Sequence, residues 1–214
     1  MTIPKVKLLV VVLASALASL ALAAEGTAQL GKPAPAFKLR DTEGKEVSLA
    51  SFKGKTVVLE WFNPDCPFAK HAHTKGPLAD LAKRVGTSKL VWLTINSSAP
   101  GKQGHGQERN VAAKQEYAIA NTVLLDEDGK VGRAYGAEKT PHLFVIDGKG
   151  VLRYRGGQDN APMGVVDDQR PRIATSSAGT LDSYVEDALQ DLQKKSALRL
   201  PETPAYGCSV KYAD

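Results

Sequence analysis

Three near-continuous apolar runs, "KTVVLEWF" ending at Phe62, "KLVWLTI" ending at Ile95 and "TVLLD" ending at Asp126, recur along this chain with helix-like segments between them. Runs so rich in β-branched and aromatic residues are the pattern of strands buried on both faces. The intervening segments read as helices: one from Pro67 toward Val85, interrupted at Gly76-Pro77, and one over "QERNVAAKQEYAI". A short helix "VGRAYG" follows, then the pair "HLFVID" and "VLRYRG", separated by Gly148-Lys149-Gly150, which reads as a hairpin. Ahead of the first run, "APAFKLRDTEGKEVSL" predicts another hairpin with its turn at Asp41 to Lys45, around Gly44. Strands alternating with helices give a parallel sheet, and the closing pair gives it an antiparallel edge. The expected fold is therefore α/β, a mixed central sheet with helices on both faces.

The remainder is less regular. Residues 156–179 form a loop long for a compact domain, either a binding loop or a mobile insertion. "LDSYVEDALQDLQKK" reads as an amphipathic helix with Leu181, Tyr184, Val185, Ala188, Leu189 and Leu192 on one stripe. The tail "PETPAYGCSVKYAD" has no periodicity, so its conformation depends on what it docks on.

At the other end, two lysines, an uncharged Leu/Val/Ala run and Ala21-Leu22-Ala23 make the pattern of a cleaved secretory signal. The expected organisation is a signal peptide over 1–24, one domain over 25–196 and a tail over 197–214. The expected location is periplasmic or secreted, with no stable membrane insertion after cleavage. The formal charge of +5 falls to about +3 without Lys5 and Lys7, and the remaining basic residues are interspersed with acidic ones. That argues for an ordinary solvated surface and against nucleic acid as a partner.

Export changes the meaning of the two cysteines, Cys66 and Cys208, because disulfides persist in oxidising compartments. They are a structural staple, a redox couple or two independent thiols. Cys66 follows a buried strand and opens a helix, with Pro67 at the first helical position. There the unpaired amides and partial positive charge of the helix end stabilise thiolate over thiol, which makes Cys66 the candidate nucleophile. Lys70, one turn on, is a candidate to add to that effect. His71, His73 and His142 raise the question of a metal, but His71 lies off the Cys66 face and His73 about 10 Å along the axis. Solvated histidines on an exposed helix are the preferred reading, and no metal or other cofactor is expected.

"VVLEWFNPDCPF" and "LLDEDGKVGRAYGAEKTPHLFVIDGKGVLRYRGG" together resemble the redoxin branch of the thioredoxin-like superfamily, which includes the alkyl hydroperoxide reductase and thiol-specific antioxidant (AhpC/TSA) proteins. The likeness is greatest to peroxiredoxin-like members with one cysteine in the active loop. The resemblance implies a thioredoxin-like fold, a cis Pro141 packed against the cysteine, and Trp61, Pro67, Thr140, Pro141 and His142 as candidate substrate contacts. It implies a disulfide or hydroperoxide substrate and an external thiol protein as reductant. Departures from the pattern also matter. Ala69 stands where a Cys-x-x-Cys motif has its second cysteine, Leu59 and Asn63 occupy the peroxiredoxin proline and Thr/Ser offsets, and Pro141-His142 stand where the peroxidase arginine is expected. Those groups would orient a peroxide and stabilise the charge that develops as its O–O bond breaks.

Cys208 is then the internal candidate to pair with or resolve Cys66. The tail is long enough to return to the active edge of the sheet, and Gly207 gives the backbone latitude for a close approach. If the pairing is reversible, the protein is a dithiol oxidoreductase. If permanent, it is a stapled binding protein, a metal or partner chaperone, with the long loop as its contact surface.

Overall fold

The computed structural model describes residues 27–79, 81 and 89–214; the signal peptide expected over 1–24 lies outside the described residues. The elements are β1 (Lys38–Asp41), β2 (Glu46–Ser48), β3 (Thr56–Trp61), α1 (Pro67–Thr74), β4 (Leu90–Asn96), α2 (Gln107–Glu116), β5 (Thr122–Leu125), α3 (Lys130–Tyr135), β6 (Lys139–Thr140), β7 (His142–Ile146), β8 (Leu152–Gly156), α4 (Tyr184–Gln193) and β9 (Cys208–Ser209). Seven strands form one sheet in the order β2-β1-β5-β4-β3-β7-β8, and β6 pairs with β9 in a separate two-stranded ladder. The three apolar runs lie side by side as the parallel strands β3, β4 and β5, with β7 antiparallel to β3. The N-terminal hairpin closes the other edge through β1 against β5. This is the thioredoxin-like α/β arrangement expected from the sequence.

Strand alternation divides the core. Val57, Leu59 and Trp61 of β3 point to a cluster with Phe37, Leu124, Tyr135 and Phe144, whereas Val58 points to one with Ala72, Leu81, Tyr154, Tyr184 and Leu189. Glu60 shares the second face and is completely buried. α1 ends at Thr74, where the Lys75 and Gly76 amides both bond to the His71 carbonyl. Helical backbone resumes at Leu78, after the Gly76-Pro77 break, and its course toward Val85 lies outside the described residues. Leu181 corrects the expected stripe on the last helix: it precedes α4 and is exposed, while Tyr184, Val185, Ala188 and Leu189 are buried. Among the described residues no helix is long and apolar enough to cross a membrane.

The 156–179 loop is pinned by side-chain chemistry. Asn160 donates through Nδ2 to the Thr180 carbonyl at 2.9 Å, and its Oδ1 accepts from the Asp182 amide at 2.9 Å. The tail docks along its length. Arg155 donates to the Glu202 carboxylate at 2.8 Å, Val210 donates to the Glu138 carbonyl, and the Lys211 carbonyl accepts from Ala99.

Candidate active site

Cys66 is the N-cap of α1, with extended φ/ψ of −84° and 122° and Pro67 behind it. Its carbonyl accepts the Lys70 amide at 2.9 Å and so begins the helix. The sulfur does not cap the helix amides. It donates instead to the Thr140 carbonyl at 3.1 Å, across the cis Thr140-Pro141 bond that the resemblance implied. Cys66 is 0% exposed, packed among Phe62, Ala69, Ala113 and Tyr117, with Phe68 and Cys208 against the cluster. The anion-stabilising position predicted at the helix mouth is present, but it is roofed over.

The C-terminal tail forms part of that roof, with Cys208 packed against the cluster. Thr140 stands opposite Cys208 in the β6–β9 ladder, and the Thr140 hydroxyl donates to the Cys208 carbonyl at 3.4 Å. The two cysteines are not joined by a disulfide in this structure. The Cys208 thiol, partly exposed, packs against the cluster that holds Cys66; burial first, and then that neighbour, push it up to about 11. Gly207 permits this approach: its φ is +113°, and a β-carbon there would collide with the Thr140 carbonyl.

On the other side of Cys66 lies a hollow of about 300 Å³ lined by Pro64, Asp65, Pro67, Lys70, Arg109, Glu116 and Tyr117. Arg109 and Tyr117, which sequence reasoning did not single out, hold the turn before the cysteine. Arg109 reaches Asp65 at 2.7 Å and the Pro64 carbonyl at 3.1 Å, and the Tyr117 hydroxyl donates to the same carbonyl at 2.7 Å. The only signal available for them was a polar helix following a glycine-rich loop. Lys70, expected to tune the thiol, turns to Glu116 at 3.0 Å instead, and that carboxylate raises its pKa. Asn63 is equally committed: its Oδ1 accepts the Asp65 amide and its Nδ2 donates to the Gln103 carbonyl.

Thr140 bonds to both cysteines, with Pro141 next to it, and Pro67 directly follows Cys66; the other two candidate contacts lie elsewhere. Trp61 is 0% exposed, packed on Tyr135 and Phe144 with its indole N–H on Ser97, because it ends β3 on the first core face. His142 lies 34° off parallel to the Phe144 ring and lines a different depression with Glu138, Arg155 and Glu202. Burial first, then Arg155, lower its pKa to about 4. His73 corrects the solvated-histidine reading: it is buried, with Nε2 2.6 Å from Glu60 Oε1. The second Glu60 oxygen accepts from Trp92 at 3.0 Å. His71 is partly exposed beside Gly164.

The chain is similar to several known proteins. Peroxiredoxin Q, chloroplastic, of Suaeda salsa is 31% identical over 134 residues, covering 58% of this chain and 57% of that protein, so the chain spans little more than half of that relative's length. Thiol-disulfide oxidoreductase ResA of Bacillus thuringiensis is 29% identical over 136 residues, 61% of this chain and 72% of that one. The crystal structure of a hypothetical protein from Sinorhizobium meliloti superposes with a TM-score of 0.70 at 26% identity, over 88% of this chain and 97% of the other. The Redoxin family model matches residues 29–169, well over half of the chain and all of the sheet that carries Cys66, and the protein belongs to that family.

Proposed function

We propose that this protein is an exported thiol-disulfide oxidoreductase of peroxiredoxin-like character that cycles between a Cys66/Cys208 dithiol and the internal disulfide. The observation that carries the reading is the meeting of both cysteines at Thr140: Cys66 bonds to its carbonyl at the mouth of α1, and Cys208 pairs opposite it and packs against the Cys66 cluster. When β9 lifts from β6, the Cys66 thiolate attacks one sulfur of a substrate disulfide, forming a mixed disulfide and expelling the first substrate thiol. Cys208, giving up its proton, then attacks Cys66, closing the internal bond and releasing the second thiol. Two electrons pass to the substrate, and an external thiol reductant restores the dithiol.

A disulfide suits the site better than a hydroperoxide. Asn63, at the offset of the peroxiredoxin Thr/Ser, spends its side-chain amide on the Asp65 amide and the Gln103 carbonyl, and Pro141-His142 stand where the peroxidase arginine is expected, so the groups that would stabilise a breaking O–O bond are not in those places. Export rests on the basic, apolar and small-residue pattern of the first 24 residues. The test oxidises the purified mature protein with glutathione disulfide, maps its disulfides by peptide mass, and follows reduction of a model protein disulfide by dithiothreitol. A reducible Cys66–Cys208 bridge, with turnover lost at least a thousandfold in Cys66→Ser, is the expected result. Two persistent free thiols overturn the reading, and a bridge that resists reductant makes the protein a stapled binder instead.

A further inference from the structure

Resting on that dithiol cycle, we infer that the external thiol which reduces the protein attacks Cys208 and forms its transient mixed disulfide there, with Cys66 as the leaving thiolate.

Access points to this direction first. Cys66 is 0% exposed, whereas Cys208 is partly exposed on β9, a strand whose other edge has no partner strand among the described residues. An internal disulfide would fasten β9 over β6 covalently, so the roof that covers Cys66 in the dithiol is held more firmly in the oxidised protein. The hollow on the α2 side offers no alternative entrance, since Cys66 helps to line it and still presents no surface.

Chemistry points the same way. In thiol-disulfide exchange the attacked sulfur is the one whose partner leaves more readily as an anion. A thiolate expelled at Cys66 appears at the N-cap of α1, where helix amides favour negative charge. A thiolate expelled at Cys208 would form on a strand, without a helix end behind it, and beside a sulfur that disfavours it. The Lys211 ammonium acts on Cys208 in the sense that favours an anion, and so attracts an incoming thiolate to this end of the bond.

The steps balance. A reductant thiolate RS⁻ attacks Cys208, giving RS–S–Cys208 and the Cys66 thiolate. A second thiolate attacks the R sulfur, releasing RS–SR and the Cys208 thiolate, and the Cys66 and Cys208 thiolates take up the two protons that the reductant thiols gave up. Two thiols have been oxidised to one disulfide and one protein disulfide reduced to two thiols.

The test uses reduced glutathione on the oxidised full-length mature chain. Acid quenching at short times, alkylation of free thiols and peptide mass mapping locate the adduct. Glutathione on the Cys208 peptide, with Cys66 alkylated, is the expected result, by at least tenfold over the reverse. Tyr212 anchors the tail, its hydroxyl donating to the Ala137 carbonyl at 2.8 Å and its ring lying under Arg133, so a Tyr212→Ala variant is expected to shift adducts toward Cys66. Glutathione found first on Cys66 in the wild type overturns this inference alone. Failure to form any internal disulfide overturns the cycle, and the inference with it.

Discussion

The Tyr206 hydroxyl donates to the buried Asp159 carboxylate at 2.5 Å, two residues before Cys208. The bond ties the tail to the 156–179 loop, and Arg170 stacks over the Tyr206 ring at 4.7 Å. Burial raises the Asp159 pKa, and the tyrosine hydroxyl opposes that rise by favouring the carboxylate. Tyr206→Phe deletes the donor and leaves an acceptor in a buried site, at a cost of about 1–3 kcal/mol. Much of this cost falls on the docked tail, so alkylation of Cys66 in the reduced protein is expected to accelerate about tenfold. An unchanged rate alongside a lower Tm would confine the bond's role to the loop.

Gly207 gives a sharper test of the same roof. Its φ of +113° is a region that side chains rarely adopt, and an added β-carbon meets the Thr140 carbonyl and, at 3.3 Å, Phe68 Cβ. Gly207→Ala should therefore unpair β9 from β6 while leaving the main sheet intact, because β9 takes no part in it. The yield of the Cys66–Cys208 disulfide is expected to fall at least tenfold, with the unfolding midpoint changed little. Hydrogen exchange at Ser209 and Val210 reads the unpairing directly.

His142 makes the fold sensitive to acid. Its pKa is lowered to about 4 by burial and by Arg155, against about 6.5 in an unfolded chain. Its Nδ1 accepts the Glu138 amide at 3.3 Å, a bond that needs the unprotonated nitrogen. The unfolded state therefore binds more protons between those values, and stability falls as pH drops from about 6.5 to 4. The full span corresponds to roughly 3 kcal/mol. His142→Phe should flatten that part of the stability-pH curve relative to wild type, measured by urea unfolding. Parallel curves for the two proteins would show that His142 is not the group responsible.

The fold was legible because its three central strands are written as uninterrupted apolar runs, and the turns between them carry glycine or proline. The position of Cys66 was equally legible, since a cysteine between a buried strand and a proline-opened helix has little choice but to cap that helix. What covers it was not. Whether the tail docks or dangles depends on Gly207 fitting against Thr140 and on Tyr212 packing over Gly129 and Gly132, contacts between residues about 70 to 80 positions apart. Trp61 adjoins the cysteine loop in sequence, yet it shares the alternation of Val57 and Leu59 and so belongs to the core. His73 looked solvated because its partner, Glu60, sits on the strand beneath α1 rather than on the helix itself.

That partnership is the last measurable consequence of the fold. Glu60 lies on the central strand with no exposed surface, and its two oxygens meet His73 Nε2 at 2.6 Å and the Trp92 indole at 3.0 Å. Glu60→Ala opens a cavity and strands both partners in an apolar cluster, so a loss of about 3–5 kcal/mol is expected. Glu60→Gln keeps the shape and an oxygen for the indole, and its amide can donate to His73 as the neutral ring acceptor. It should therefore recover most of that loss. Urea unfolding of the two variants, with His73→Ala closing a double-mutant cycle, measures the coupling. A cycle that closes with no interaction energy would mean that the carboxylate is held by Trp92 alone, and that α1 is positioned over the sheet by its apolar face without help from this bond.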